Sequence, residues 1–218
     1  MEATPWPGIF RQGRTLLTQN ATPGRRVYGE NLVVDGGQEY REWDPWRSKL
    51  AAYLSKSGAP GLLEGVRTVL YLGGAHGTTV SHLSDALPNA EIYVIEKSPT
   101  AFAPLLGLAR ARTNLLPILS DAQLPERYAA DVGTVDLLYQ DVAQRTQASI
   151  FRENAQVCLR PGGTGLLMLK IRSVTQSRSA RSVLAEARAE LAGGGLSIRE
   201  SVDLIPFSRD HVALRVGR

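Results

Sequence analysis

From residue 66 onward the chain alternates apolar runs with stretches of helical length. Five runs, "RTVLYLGG", "EIYVIEKS", "NLLPILSD", "VDLLYQDV" and "GTGLLMLKIR", lack a polar face, as strands do when a parallel sheet buries them on both sides. Segments at about 78–87, 100–112, 146–159 and 179–193 read as the helices. A closing pair, "LSIRESVDLIPF" and "HVALRVG", predicts two antiparallel strands around Pro206. This alternation implies an α/β fold with a mostly parallel sheet and helices on both faces. Such sheets take their ligand beyond the carboxyl ends of the strands.

The first 55 residues follow another pattern. Residues 26–43 alternate apolar and polar positions around Asp35-Gly36-Gly37, which predicts a β-hairpin. "DPWRSKLAAYLSKSG" then predicts a helix with Asp44 as N-cap, Pro45 in the first turn and Gly58 near the end. The expected organisation is a small N-terminal β-hairpin and helix module, residues 1–55, ahead of a main domain, residues 56–218.

Composition narrows the class. The 218 residues suffice for one sizeable α/β domain. No apolar run approaches the roughly 18 residues that cross a bilayer, and the N-terminus has no signal-peptide core, so a soluble, cytoplasmic protein without membrane contact is expected. The single cysteine, Cys158, excludes an intramolecular disulfide and a multi-thiolate metal site, and reads as a buried small hydrophobe. The net charge of +4 fits a polyanionic partner only weakly. The basic residues say more: 21 are Arg, and Lys stands only at 49, 56, 97 and 170. Lys, unlike Arg, can lose its proton near neutrality when its surroundings lower its pKa.

The strand ends carry the candidate chemistry. The loop "YLGGAHGTTVSH", Gly73 to Thr79 at its centre, follows the first strand but is neither the dinucleotide pattern nor a phosphate-binding loop. The second strand ends in Glu96-Lys97, the third in Asp121-Ala122, the fourth in Asp141 to Gln144 and the fifth in Lys170. Three acids around phosphates would repel without a metal. They suit a ligand with a ribose, an adenine amine and a cationic centre: Glu96 for the ribose, Asp121 for the amine, Asp141 beside a sulfonium. That is the chemistry of S-adenosylmethionine; the bland alternative is helix capping or simple exposure. Lys170, on the strand next to Asp141, could take a proton from a hydroxyl, oriented by that acid. Lys49 alone reads as a surface residue and His211 as structural. His76 and His82, six apart, do not have metal-ligand spacing on one helical face, and no metal site is expected.

The segments "GRRVYGE", "EYREWDPWRSKLAA", "VLYLGGAHGTTVSHLSD", "IYVIEKSP", "VDLLYQDVAQRTQ" and "LRPGGTGLLMLKIRS" together resemble fibrillarin and its archaeal homologues, along most of the chain. The resemblance implies a Rossmann-like S-adenosylmethionine-dependent methyltransferase fold with a seven-stranded sheet. It implies 2′-O-methylation of ribose in rRNA and tRNA, as the catalytic subunit of a box C/D ribonucleoprotein. The implied partners are a guide RNA with its target RNA, a Nop-domain scaffold protein and a kink-turn-binding protein. Gly73, Ala75, Thr78 and Thr79 would hold the methionine moiety, Glu96 the ribose with Lys97 beside it, Asp121-Ala122 the adenine, and Asp141 and Gln144 the surroundings of the methyl group. Lys49, Asp141, Lys170 and His211 would form the catalytic group. The chain departs from the family at Gly74 and His76, at Lys97, where an aromatic residue is common, and at Arg145-Thr146. With no Gly/Arg-rich extension it looks archaeal in type. No RNA-binding module or aromatic stacking platform is visible, so target choice is expected to come from the guide. A non-catalytic subunit and a protein glutamine methyltransferase are the alternatives.

Overall fold

The computed structural model describes residues 1–57, 60–175 and 177–218 and contains two sheets. The first is antiparallel, with β1 (Glu2–Ala3), β2 (Ile9–Gln12), β3 (Thr15–Gln19), β4 (Leu32–Asp35) and β5 (Gln38–Trp43) in the order β1-β2-β3-β5-β4. The N-terminal segment is therefore richer than one hairpin. Residues 9–19 make a second hairpin, whose two-residue loop places Gly13 at a positive φ of 59°. β4 also starts later than the alternation predicts. Glu30 accepts the backbone N–H of Val27 and Tyr28 at 3.0 and 2.8 Å, a local turn that competes with a strand ladder.

Helix α1 (Lys49–Lys56) begins after Ser48, which caps it by accepting the Ala51 N–H, rather than after Asp44. The Asp44 carboxylate is used one turn earlier, accepting the Trp46 N–H at 2.8 Å. Gly58 lies outside the described residues.

The second sheet holds β6 (Thr68–Leu72), β7 (Glu91–Glu96), β8 (Leu115–Leu119), β9 (Val135–Gln140), β10 (Leu159–Lys170), β11 (Ser197–Asp203) and β12 (His211–Gly217). Their order is β11-β12-β10-β9-β6-β7-β8, with β12 antiparallel to both its neighbours and the other pairs parallel. Pro117 is tolerated because β8 is an edge strand. The helices are α2 (Thr78–Ala86), α3 (Pro99–Ala109), α4 (Ala129–Val132), α5 (Gln147–Cys158), α6 (Ile171–Val174) and α7 (Ala180–Gly193).

Successive strand residues point to opposite faces, and both faces are buried. Val69, Tyr71, Val94, Leu137 and Met168 enter one core with residues of α1, α2 and the N-terminal sheet. Leu70, Leu72, Leu138, Leu167 and Leu169 enter the other, against α5 and α7. Cys158 is buried in that second core, as its setting predicts. Each such aliphatic side chain contributes about 1.5–3 kcal/mol relative to exposure.

A buried polar cluster fixes the N-terminal sheet on α2. Arg41 reaches Glu30, Asp85 and Ser81 at 2.5, 2.6 and 3.0 Å, and Arg112 holds the other oxygen of Asp85 at 3.1 Å. His82 stacks on Trp43 with ring centroids 4.9 Å apart and bonds Thr18 and Tyr28 at 2.7 and 2.8 Å through its two nitrogens. Burial, then the charges of Arg41 and Arg112, hold its pKa well below the ordinary histidine value. A neutral imidazole offers one donor and one acceptor, which is what two hydroxyl partners need. His82 is thus a structural clasp. Among the described residues no helix is long and apolar enough to cross a membrane.

Candidate active site

A cavity of about 300 Å³ opens where β6, β7, β8 and β9 end, at the carboxyl edge that an α/β sheet offers to ligands. Gly73 and Ala75 form one wall, Glu96 and Lys97 the next, Ser120 and Ala122 the third, and Asp141 to Gln144 the fourth.

The glycine loop is shaped by contact with its neighbours. Gly73 has a φ of 90°, and a Cβ there would stand 2.6 Å from the Asp141 carbonyl oxygen. Loop and β9 end can approach this closely only without a side chain. Ala75 is the one non-glycine residue with positive φ among those described, at 45°. Glu96 explains its tolerance: one carboxylate oxygen accepts the Ala75 N–H at 2.8 Å and the other the Ser98 N–H at 2.8 Å. Each oxygen keeps a further lone pair for a ligand hydroxyl. Glu96 therefore both shapes the loop and faces the cavity.

Asp121 accepts the Gln123 N–H at 3.0 Å and pairs loosely with Lys97, whose ammonium is 3.8 Å away. Gln144 accepts a hydrogen bond from the Gln123 amide at 2.6 Å, closing that side. Thr78 and Thr79 are the first two residues of α2 rather than cavity lining. The Thr79 hydroxyl meets that of Ser48 at 3.0 Å and so ties the start of α2 to the start of α1. His76 does not face this cavity. It is exposed and lines a separate groove with Arg25 and Arg26.

Four side chains meet at the edge of the cavity. Lys49 Nζ donates to Asp141 Oδ2 at 2.7 Å, both half-buried. This corrects the pairing expected from sequence, in which Asp141 orients Lys170. Lys170 ends β10, next to β9, and its ammonium has no hydrogen-bond or ion-pair partner among the described residues. Its backbone is held instead: Gln147 Oε1 accepts the Lys170 N–H at 2.8 Å, and Gln147 Nε2 donates to the Lys170 carbonyl at 2.9 Å. His211 starts β12 opposite Lys170 in the ladder. Its Nδ1 meets the Ser208 hydroxyl at 2.7 Å. Burial, then the nearby charges of Lys49 and Lys170, push its pKa down to about 3.

The sequence pattern does not reveal Ser48, Gln147 and Ser208. Polar side chains in helix caps and turns are common, and only the fold puts these three against Thr79, Lys170 and His211.

The donor set fits S-adenosylmethionine. Glu96 and Asp121 accept from hydroxyls and amines, and Asp141 places negative charge where a sulfonium would lie. Two carboxylates, Glu96 and Asp141, line the cavity and Asp121 stands beside it between Ser120 and Ala122, a charge pattern that suits a cation and disfavours phosphates.

Comparison with known proteins agrees. A family model described as fibrillarin matches residues 5–218. The fibrillarin-like rRNA/tRNA 2′-O-methyltransferase of Methanothermobacter thermautotrophicus is 43% identical over 211 residues, covering 97% of this chain and 94% of that protein. The crystal structure of Aeropyrum pernix fibrillarin in complex with natively bound S-adenosyl-L-methionine superimposes with a TM-score of 0.89 at 42% identity, covering 99% of this chain and 96% of that one. A fibrillarin/Nop5p complex gives a TM-score of 0.89 at 39% identity over the whole of both chains.

Proposed function

This chain belongs to the fibrillarin family, and from that membership we infer an S-adenosylmethionine-dependent RNA 2′-O-methyltransferase acting within a guide ribonucleoprotein. The observation that carries the reading is the Lys49–Asp141 ion pair at the rim of a carboxylate-lined cavity. When bound, S-adenosylmethionine supplies an electrophilic methyl group on a sulfonium.

The chain's own residues then have separable roles. Glu96 and the Asp121-Ala122 segment hold the nucleoside end, and the Gly73–Ala75 loop lies beside the amino-acid end. The N-terminal module, residues 1–55, delivers Lys49 to the methyltransferase domain, residues 56–218. Lys49 neutralises Asp141 in part and orients its carboxylate. Lys170, without a partner among the described residues, faces the negative charge that develops on the ribose oxygen and disperses it while the hydroxyl proton passes to water. His211, kept neutral by burial and by the flanking charges of Lys49 and Lys170, offers an uncharged hydrogen-bonding group in the same corner. Positioning and electrostatics dominate, since no covalent enzyme intermediate is required.

A related fibrillarin occurs in a complex with Nop5p, which supports a Nop-domain scaffold as partner here. The guide RNA and a kink-turn-binding protein complete the proposed assembly. The test is methyl transfer to a guide-paired RNA, with and without the scaffold partners. A label that enters the ribose of the paired nucleotide, and not a 2′-deoxy control, supports the reading. Label appearing in protein favours the glutamine methyltransferase alternative, and no transfer at all favours a non-catalytic subunit.

A further inference from the structure

Helix α1 is only eight residues long, and Lys49 is its first residue. Leu50, Ala51, Ala52, Tyr53 and Leu54 are buried in the core that α1 shares with α2 and the N-terminal sheet. Hydrophobic burial is non-directional, so it holds a short helix down without fixing its rotation. Direction comes from polar anchors at the two ends. At the far end Glu200 of β11 accepts from the Ser57 hydroxyl at 2.8 Å and from the Tyr53 hydroxyl, and Lys56 donates to the Ile205 carbonyl. At the near end the anchor is Ser48.

Ser48 is 2% exposed, and its Oγ makes two contacts. It accepts the Ala51 N–H at 3.3 Å and meets the Thr79 hydroxyl at 3.0 Å. Capping α1 uses one lone pair of that oxygen, so the contact with Thr79 is additional to the cap. Thr79 is the second residue of α2, directly behind the glycine loop. Directly before the same loop, the Leu72 carbonyl accepts the Asp141 N–H at 2.9 Å. Both members of the Lys49–Asp141 pair are thus referred to one frame: β6, the glycine loop and the start of α2.

We propose that Ser48 is a positioning residue for Lys49: its bond to Thr79 sets α1 on the frame that also fixes Asp141, and so holds the ammonium 2.7 Å from the carboxylate. The proposal rests on the methyltransferase reading above, in which Lys49 orients Asp141. One hydroxyl contact is a small part of what keeps α1 folded on the core, so its loss should displace Lys49 more than it destabilises the chain.

The chain has only four lysines, at 49, 56, 97 and 170, so each amine can be followed separately. The free full-length protein is trace-acetylated with acetic anhydride and read peptide by peptide by mass spectrometry. Lys97, whose side chain is 54% exposed, is the internal reference. Ser48→Gly removes the hydroxyl and keeps a residue that caps a helix nearly as well. It should speed acetylation of Lys49 relative to Lys97 severalfold while the unfolding midpoint barely moves. In the assembled particle at saturating S-adenosylmethionine, single-turnover methyl transfer to guide-paired RNA should fall by about 10- to 100-fold, with the half-saturating RNA concentration unchanged. Thr79→Val removes the same bond from the α2 side, so a Ser48 variant that fails to fold does not end the test. Thr79→Ser, which keeps the hydroxyl, should retain both wild-type readouts. In a Lys49→Ala background Ser48→Gly should cost less than about twofold more.

Lys49 acetylation or a transfer rate within about twofold of the wild type in Ser48→Gly would overturn the assignment. So would an equal rate loss with and without Lys49, which would place the effect of Ser48 elsewhere. A rate loss that tracks the unfolding midpoint would make Ser48 a helix cap and nothing more. A wild-type particle that transfers no methyl group sinks the underlying reading instead, and acetylation of Lys49 in the free chain then decides the role of Ser48 on its own.

Discussion

Lys49 Nζ lies 2.7 Å from Asp141 Oδ2, a contact between residues 92 positions apart that joins the N-terminal helix to the end of a central strand. Half-buried charges hydrogen-bonded this closely act as a unit. Asp141→Asn preserves shape and removes the charge, so kcat on guide-paired RNA should fall by about 10²–10³-fold, the scale for losing one electrostatic group. Lys49→Ala should cost a similar factor. The two effects should combine to less than their product, since each variant already breaks the pair. Single-turnover rates on the two single variants and the double test this, and independent multiplicative losses would refute the coupling.

Gln147 is expected to act on catalysis through Lys170. Its side chain satisfies both the N–H and the carbonyl of that residue, at 2.8 and 2.9 Å. Gln147→Ala leaves two poorly solvated backbone groups without partners, at a cost of about 2–6 kcal/mol. The rate constant should fall while S-adenosylmethionine affinity measured by calorimetry stays within about twofold. Gln147→Glu, which keeps the acceptor for the N–H, should recover part of the rate. Equal defects in both variants would show that Gln147 serves stability alone.

Gly73 separates close approach from backbone freedom. A Cβ at Gly73 meets the Asp141 carbonyl at 2.6 Å, whereas one at Gly36, also at positive φ, meets nothing within 4 Å. Gly36→Ala should cost only left-handed strain, about 1–2 kcal/mol. Gly73→Ala adds a steric clash with the β9 end, so it should destabilise more and also weaken cofactor binding. Denaturant midpoints of the two variants, with calorimetric titration of S-adenosylmethionine, decide the matter; equal losses would mean the contact with Asp141 is relieved at no cost.

The parallel strands were legible because burial on both faces leaves no polar position, and the ligand edge follows from topology alone. Glu96, Asp121 and Asp141 could be read as a set for that reason. Local competition for backbone donors was not legible. Nothing in the spacing says that Glu30 gathers N–H groups and delays β4, or that Ser48 rather than Asp44 caps α1. Contacts between distant segments were the other gap. The sequence offers two acceptable lysines for Asp141, and only the docking of α1 chooses Lys49. Trp46 has the same cause: from sequence alone it resembles ordinary core, and its exposure appears only once the fold is in place.

His211 makes stability depend on acidity in a defined window. Its pKa falls from the ordinary 6.5 to about 3 in the folded chain, chiefly through burial and then through Lys49 and Lys170. Between those values the unfolded chain binds a proton that the native state refuses. Stability is therefore fully present above about pH 6.5 and is lost as pH falls toward 3. His82, held neutral by burial, contributes with the same sign. His211→Asn removes one of the two histidine contributions, so the drop in urea midpoint from pH 7.5 to pH 4.5 should shrink but not vanish. The variant loses some stability at neutral pH through the Ser208 bond, yet its pH dependence should be shallower than that of the wild type. An unchanged difference between the two pH values would mean that His211 is protonated in the native state, and the neutral imidazole assigned to the catalytic corner would have to be given up.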